Sequence, residues 1–307
     1  MTLTAARKIL ATAVLAVTVL AAGNIPGTPA DAMVPCRAGE RPHAPAYTPP
    51  ADPDTVRIMP LGDSITRGIG TIPLDGYRTD LRSRLAHAGW KVDMVGAGTD
   101  GTGPDGDHEG HPSCTIADVT TIVADRLATY RPDVVLLHLG TNDMRSPAEA
   151  AAAPARMREL LATIAGNAPD AEVFVAQIIG VQYYGPKSPG AARQRGTDTL
   201  NRAIPGLVAA AGPRFHVVDM RDIGGLDLSD LVHPDRYGYL KMSWRWYQAI
   251  RRAGDPAGYD PYTATRIRRC VHSTAAPFAR AALGCHLWHR AAGAWRVKTT
   301  AGWVTGW

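Results

Sequence analysis

Residues 57–68 read RIMPLGDSITRG, in which an apolar run leads directly into glycine, aspartate and serine. Similar short, β-rich runs recur along the chain and alternate with amphipathic helical stretches, the pattern of βαβ units. The sequence therefore predicts a three-layer α/β/α domain around a five-stranded parallel sheet. The predicted strands are 56–61, 91–95, 133–139, 172–178 and 215–219, and the predicted helices are 76–88, 115–130, 154–166, 191–211 and 235–253.

Polar motifs follow three of the predicted strands. The motif GDSIT at 62–66 follows the first strand, GTND at 140–143 follows the third, and DLVHP at 230–234 lies after the fifth. Ligands of open parallel sheets bind beyond the carboxyl ends of the strands. We therefore expect the three motifs to contribute to one site.

The residue types in these motifs suit nucleophilic catalysis. A serine hydroxyl needs a base to take its proton, and the base needs a third group to hold its tautomer. Ser64, His233 and Asp230 can fill these roles in that order, and Asn142 can donate an N–H to an oxyanion. Each residue alone has an ordinary alternative, such as a turn serine or a surface histidine. Their positions after successive strands favour a catalytic site.

The three motifs resemble those of the SGNH hydrolases, the lipase and esterase superfamily also called GDSL. Within it, RIMPLGDSITRG, GYRTDLRSRL, VDMVGAGTDG, DHEGH and LLHLGTND resemble the acetyl xylan esterases of carbohydrate esterase family three. The resemblance runs from residue 56 to about residue 250. It implies a flavodoxin-like fold, a serine mechanism that needs no metal or cofactor, and deacetylation of plant polysaccharides.

The resemblance also assigns roles to individual residues. It makes Ser64 the nucleophile, His233 the base and Asp230 the orienting acid, with the N–H groups of Ser64 and Ser113 and the amide of Asn142 forming the oxyanion hole. Ser113 stands where relatives have glycine, so glycine's conformational freedom is lost there. Cys114 stands where relatives have a tryptophan that walls the site. Substrate preference and rate are therefore less firmly implied than the fold.

Three further residues are predicted to contact the substrate. Asp63 precedes the nucleophile, and Tyr183 and Tyr184 lie in a Gly/Pro-rich loop after the fourth predicted strand. An aromatic face there can pack on a sugar ring. The alternative is a loop anchored by its own tyrosines.

Two other motifs invite readings that we do not favour. Residues 96–101 match GxGxxG after a predicted strand, but the Gly/Asp-rich residues that follow do not support the required helix. We interpret them as a plain glycine-rich loop.

The cluster of Asp107, His108, Glu109 and His111 lacks the HExxH spacing of a metal-binding helix. We interpret this segment as a loop at the rim of the serine site. The alternative is that its carboxylates bind a structural cation.

The N-terminus has the layout of a secretory signal. Arg7 and Lys8 precede an apolar run, and a small-residue stretch ends in Ala30-Asp31-Ala32, an Ala-x-Ala cleavage site. A membrane anchor is the alternative, but about 14 apolar residues fall short of the roughly 20 needed to span a bilayer. We expect residues 1–32 to be removed and the mature chain to be secreted, without membrane association. A Pro-rich segment at 33–54 then precedes the hydrolase domain at 55–253.

The C-terminal part of the chain differs in character. A linker at 254–262 leads to a basic, Trp-containing tail at 263–307, which reads as a disulfide-clipped module, a truncated repeat domain or residues without a fold of their own. Net charge is +5, and residues 261–307 hold seven basic and no acidic residues, which leaves −2 for the rest. We therefore expect no nucleic-acid partner, although the tail can touch anionic surfaces, and we expect a monomer.

The chain contains four cysteines. Secretion favours two disulfides among Cys36, Cys114, Cys270 and Cys285, and sequence alone leaves three pairings open. Proximity favours Cys270 with Cys285, which leaves Cys36 with Cys114.

Together these features predict a secreted serine esterase acting on an acetylated polysaccharide, most simply xylan. The alternatives are another SGNH activity, such as a lipase, lysophospholipase, thioesterase or peptidoglycan acetyl esterase, and a non-catalytic carbohydrate-binding protein.

Overall fold

A computed structural model describes Cys36, residues 47–182, 185, 187–188 and 190–254, and the backbone of four strands between 268 and 305. The helices are α1 (Ser64–Arg67), α2 (Arg78–His87), α3 (Ile116–Tyr130), α4 (Pro147–Asn167), α5 (Ala191–Ala211) and α6 (Arg236–Gly254). The strands of the main sheet are β1 (Val56–Gly62), β2 (Val92–Met94), β3 (Gly98–Thr99), β4 (Asp107–Gly110), β5 (Val134–His138), β6 (Glu172–Gln177) and β7 (Phe215–Asp219). Short 3₁₀ turns cover Thr141–Arg145 and Gly225–Asp227.

The main sheet is centred on β1. Strands β5, β6 and β7 follow in parallel order on one side of β1. On its other side, β2 pairs with the first half of β1, and β4 pairs with its last two residues. All five predicted strands are present to within a residue or two, and the three-layer α/β/α prediction is confirmed.

The sequence prediction of five strands missed two. Strand β3 pairs antiparallel with β4, so part of the segment interpreted as a glycine-rich loop is the first arm of a hairpin. Strand β4 reads DHEG, which has none of the apolar character of a buried strand. It is nevertheless almost completely buried, because neighbouring groups satisfy its polar side chains.

The start of α4 was also predicted wrongly. The prediction placed it at Pro154, just before the helical repeat of Met157, Leu160, Leu161 and Ile164. The helix instead begins at Pro147, with the side chain of Ser146 accepting a hydrogen bond from the backbone N–H of Glu149 at 3.2 Å. Pro147 thus takes the first helical position, where proline is common, and Pro154 lies inside the helix.

Two hydrophobic layers cover the faces of the sheet. Alternation along β1 sends Met59 and Leu61 to the layer under α3, α4 and α5, and Ile58 to the layer under α2 and α6. Trp246 and Tyr247 on α6 are buried in the second layer. Each layer thus fixes one set of helices, and the loops that leave the strands are held between them.

A buried ion pair fixes α6 to the turn that precedes the DLVHP motif. The Lys241 ammonium lies 2.8 Å from the Asp227 carboxylate, and both side chains are almost completely buried. Replacing one partner would leave a buried, uncompensated charge. The pair therefore holds the start of the 230–234 loop against the helix that follows it.

Several predicted segments lie outside the described residues: the signal at 1–32, most of the 33–54 segment and most of the 254–262 linker. In the tail, the strands β8 (Arg268–Val271), β9 (Gly284–His289), β10 (Ala294–Thr299) and β11 (Gly302–Thr305) form an antiparallel sheet. Cys270 and Cys285 are register partners in it, while their disulfide stays a prediction. Among the described helices, none combines the length and apolarity needed to cross a bilayer.

Candidate active site

The position of Ser64 follows from the way β1 ends. The strand stops at Gly62, and α1 begins at Ser64. A side chain at Gly62 would collide with the backbone oxygen of His138 on β5, so only glycine permits this close approach. Ser64 is thereby placed at a helix start beside the carboxyl edge of the sheet.

Ser64, His233 and Asp230 form a hydrogen-bonded relay. The Nε2 atom of His233 lies 2.9 Å from the Ser64 Oγ, and its Nδ1 atom lies 2.7 Å from the Asp230 Oδ2. The other Asp230 oxygen accepts the backbone N–H groups of Val232 and His233 at 2.9 and 2.8 Å. Partial burial raises the pKa of Asp230, but these hydrogen bonds outweigh burial and keep the pKa below its usual range. A carboxylate that stays ionised can hold the imidazole and stabilise its protonated form.

Three groups are candidate donors to an oxyanion: the backbone N–H groups of Ser64 and Ser113 and the side-chain amide of Asn142. Asn142 is nearly buried and donates one Nδ2 hydrogen to the backbone oxygen of Cys114 at 2.9 Å. This contact brings the GTND loop and the 113–114 loop together. Among the described residues, the backbone N–H groups of Ser64 and Ser113 donate to no acceptor. The arrangement can therefore accommodate an oxyanion.

Ser113 adopts a glycine-like conformation although it carries a side chain. Its φ of 64° lies in the left-handed region that favours glycine. The conformation costs a non-glycine residue roughly 1–2 kcal/mol. The loop therefore keeps a backbone conformation that glycine would adopt easily, although Ser113 carries a side chain. Contacts around the loop stabilise this conformation.

A disulfide supplies one of those contacts. Cys36 and Cys114 are bonded, with their Cα atoms 4.6 Å apart, and this predicted pairing is confirmed. Cys114 is fully buried in the hydrophobic layer under α3. Where the resemblance predicts a tryptophan that lines the site, this chain has a disulfide bond next to Ser113.

A buried arginine fixes the other end of α1. Arg78 is 1% exposed, and its Nη1 donates to the backbone oxygens of Thr66 and Arg67 at 2.8 and 2.7 Å. Its Nη2 donates to the backbone oxygens of Leu74 and Asp100 at 3.0 and 2.7 Å. The guanidinium therefore joins the nucleophile helix, the following loop and the β3–β4 hairpin.

Asp63 does not lie where a substrate contact requires. Its side chain is fully buried, and Oδ1 caps α1 by accepting the backbone N–H of Ile65 at 2.9 Å. Its other oxygen has no hydrogen-bond partner among the described residues. Burial raises its pKa to about 6, although the Ile65 N–H and the neighbouring His233 oppose this. Asp63 therefore caps the helix that carries Ser64 and does not contact substrate.

The acidic and histidine cluster of β4 is engaged in local pairs. Nε2 of His108 lies 3.1 Å from the Asp100 carboxylate, and Nε2 of His111 lies 2.6 Å from that of Glu109. The two histidines thus face different carboxylates. Within the described part of the chain, the one group close enough to chelate a metal is Cys36, Cys114 and Asp118, whose cysteines are disulfide-bonded.

Tyr183 and Tyr184 lie outside the described residues, so their sugar contact stays a prediction. Two arginines that organise the loops of the site, by contrast, were not predicted from the sequence. Arg78 lies within the quoted stretch GYRTDLRSRL, and Arg145 follows GTND by two residues and contacts Asn142. The available signal was the i, i+3 spacing from Asn142 to Arg145 within one helical turn.

The α/β/α fold with a Ser–His–Asp relay at the carboxyl edge of its sheet is typical of serine hydrolases. Residues 61–241, more than half of the chain, match the GDSL-like lipase/acylhydrolase family. The chain therefore belongs to this family of carboxylic ester hydrolases, and its fold is the one that the SGNH resemblance implied.

Solved structures and a curated protein give more specific similarities. A family 3 carbohydrate esterase from Clostridium thermocellum is 34% identical, with a TM-score of 0.55 over 65% of this chain and 98% of that chain. A carbohydrate esterase family 3 structure from Talaromyces cellulolyticus is 25% identical, with a TM-score of 0.56 over 66% and 100%. A multidomain esterase from Ruminococcus flavefaciens is 29% identical over 223 residues, 64% of this chain. The chain covers 28% of that esterase's length.

The strain at Ser113 can be measured by restoring glycine. We expect Ser113→Gly to raise the free energy of unfolding by about 0.5 kcal/mol, because relief of the left-handed strain outweighs the added freedom of the unfolded chain. Urea denaturation measures the change. Ser113→Ala keeps the strain and serves as the control. Equal stability of the two variants would contradict a strained backbone at this position.

Burial of Asp63 predicts a pH-dependent stability. Its folded pKa of about 6 exceeds the ordinary value of 3.8, so the folded state binds the proton more tightly. The Asp63 contribution to stability is therefore complete below about pH 4 and falls as pH rises to about 6, by on the order of 3 kcal/mol. Asp63→Asn keeps the capping oxygen and removes the titration.

Unfolding of both proteins in urea between pH 3.5 and pH 8 tests this. The stability of Asp63→Asn relative to the unaltered protein should rise with pH and level off above about pH 6.5. A difference that stays constant over this range would show that Asp63 titrates normally.

Proposed function

We propose that the chain is a secreted serine esterase that removes O-acetyl groups from a polysaccharide, with acetylated xylan as the substrate. The observation that carries the proposal is the relay from Ser64 Oγ through His233 to Asp230, at 2.9 and 2.7 Å. A serine so placed is an activated nucleophile. The family to which the chain belongs supplies the reaction class, hydrolysis of carboxylic esters.

The reaction proceeds in two halves. His233 Nε2 takes the hydroxyl proton as Ser64 Oγ attacks the acetyl carbonyl, and the resulting oxyanion accepts N–H groups from Ser64, Ser113 and Asn142. The carbon–oxygen bond to the sugar then breaks, and His233 gives the proton to the departing sugar oxygen. His233 then takes a proton from water as the water oxygen attacks the acyl-enzyme, and it returns this proton to Ser64 Oγ as acetate departs. Asp230 stays ionised throughout and stabilises the imidazolium.

Two features support a carbohydrate substrate. Both solved structures reported above are family 3 carbohydrate esterases. Close to His233, whose Cβ lies beside Gly70, there is also an open cavity of about 670 Å³. The relay residues lie outside its lining, and six of the twelve lining residues are Thr, Ser, Asp or Arg: Thr71, Asp75, Thr79, Asp80, Ser83 and Arg236. Such groups suit hydroxyl-rich polymers better than acyl chains of lipids.

Two features support secretion. The N-terminal sequence has the layout of a cleavable signal. The Cys36–Cys114 disulfide belongs in an oxidising compartment. We propose that the mature enzyme works outside the cell as a monomer, without a metal or other cofactor.

Acetate release from acetylated xylan tests the proposal. We expect the mature protein to release acetate and to hydrolyse p-nitrophenyl acetate, to keep both activities in EDTA, and to lose both after treatment with a serine-reactive phosphonate. Ser64→Ala should lose most turnover, because no other group supplies the nucleophile. The matched control is Thr129→Ala, which removes an exposed hydroxyl at the end of α3, outside both the relay and the cavity.

The outcomes separate the alternatives. Cleavage of a long-chain p-nitrophenyl ester alone would replace the deacetylase with a lipase. Loss of activity in EDTA would replace the serine mechanism with a metal-dependent one. No cleavage, combined with binding of Ser64→Ala to insoluble xylan, would favour a carbohydrate-binding protein.

Asn142 should contribute to the oxyanion hole through its second Nδ2 hydrogen. We expect Asn142→Ala to lower kcat on p-nitrophenyl acetate by on the order of 10² to 10³, the usual loss for one such donor. Steady-state kinetics at pH 7 provide the measurement. Asn167→Ala, which changes an exposed asparagine at the end of α4, is the control. Full activity of Asn142→Ala would remove this residue from the mechanism.

A further inference from the structure

Arg145 contacts two components of the proposed oxyanion hole at once. It ends the 3₁₀ turn that contains Asn142, so the two side chains lie one turn apart. One nitrogen, Nη2, donates to the Asn142 Oδ1 at 2.8 Å and to the backbone oxygen of Ser113 at 3.3 Å. A single guanidinium thus joins the GTND loop to the loop that provides the second backbone donor.

The contact with Oδ1 decides which way the Asn142 amide points. An asparagine amide has an acceptor end and a donor end, and its orientation is set by its hydrogen bonds. Arg145 is a donor only, so it holds the oxygen. The Nδ2 end is then turned to the Cys114 oxygen, at 2.9 Å, and keeps one hydrogen for an oxyanion. The reverse orientation would place an N–H against the guanidinium and an oxygen against the Cys114 carbonyl.

The charge of Arg145 is not neutralised locally. No carboxylate forms an ion pair with it among the residues described, and both acceptors of its hydrogen bonds are neutral. Its Nε is buried without a partner. An uncompensated cation next to a developing negative charge lowers the energy of that charge, and it polarises the amide that lies between.

We propose that Arg145 is the positioning residue of the oxyanion hole: it orients the Asn142 amide, braces the Ser113 loop and adds positive potential behind both donors. This inference rests on the proposed function, since it assigns a role within the same site. Its effect belongs to the transition state, because an oxyanion exists there and not in the bound ester.

The test compares three variants in the full mature chain. Arg145→Met removes the donors and the charge, Arg145→Gln keeps an NH₂ donor without charge, and Arg145→Lys keeps the charge. Arg158→Met, which changes an exposed arginine of α4, is the matched control. Each protein is assayed with p-nitrophenyl acetate, and thermal melting confirms that each is folded.

We expect Arg145→Met to lower kcat by about 10- to 100-fold, with KM changed by less than about threefold. Arg145→Gln and Arg145→Lys should each recover part of the loss. A boronic acid, which forms an anionic tetrahedral adduct on serine, should bind Arg145→Met more weakly by a similar factor. In the Asn142→Ala background, Arg145→Met should cost several-fold less than in the unaltered enzyme, because the amide it orients is gone and only the contact with the Ser113 loop and the positive charge remain to be lost.

Two results would overturn the inference. One is a folded Arg145→Met protein with kcat within twofold of the unaltered enzyme. The other is full additivity of the two substitutions together with an unchanged boronic acid affinity, which would indicate a merely structural role. If Arg145→Met does not fold, Arg145→Gln and Arg145→Lys decide: unaltered kcat in both would equally refute the proposal.

A second readout separates this inference from the substrate assignment. The rate at which a phosphonate labels Ser64, followed by intact mass, also depends on the oxyanion hole but needs no acetyl ester. Failure to release acetate, with labelling that is slower in Arg145→Met, would refute the deacetylase and support the role of Arg145. Equal labelling rates would refute the role of Arg145 whatever the substrate.

Discussion

The site depends on one close approach of three backbones at the end of β1. Gly62 pairs with Gly110 of β4 on one side and with His138 of β5 on the other. Neither glycine has room for a Cβ atom. At Gly62 it would collide with the backbone of His138, and at Gly110 with the backbones of Arg67 and Asp63. Because the strands meet this closely, the loops that follow them bring Ser64, Ser113 and Asn142 to one edge. The triad histidine needs only to reach that edge from the loop before α6.

Much of this could be predicted from the sequence, because the information was local. The apolar strands, the amphipathic helices and the three motifs each carry their own signal within a few residues. The sequence left three cysteine pairings open, and proximity favoured the set that contains the observed Cys36–Cys114 bond. Strand β4 could not be predicted in this way, since DHEG is polar and owes its burial to partners elsewhere in the chain, such as Asp100 for His108.

The same distinction explains the errors at the site. Asp63 has the composition of a substrate contact, and only its depth shows that it is a helix cap. Arg78 and Arg145 look like ordinary surface arginines in the sequence, because their acceptors are mostly backbone oxygens, which no residue pattern encodes. Side chains that organise backbone are therefore the hardest functional residues to recognise without a structure.

The Cys36–Cys114 bond has a consequence for how the enzyme matures. It closes a loop of 78 residues that contains β1, Ser64 and the β3–β4 hairpin, and chain entropy alone assigns such a closure about 4.5 kcal/mol. The bond also ends next to Ser113, so oxidation completes the loop that carries one of the proposed oxyanion donors. A chain made in a reducing cytoplasm, or trimmed to begin at the first strand, would contain every motif residue and still lack this brace. Oxidative folding is thus an assembly step for the site itself.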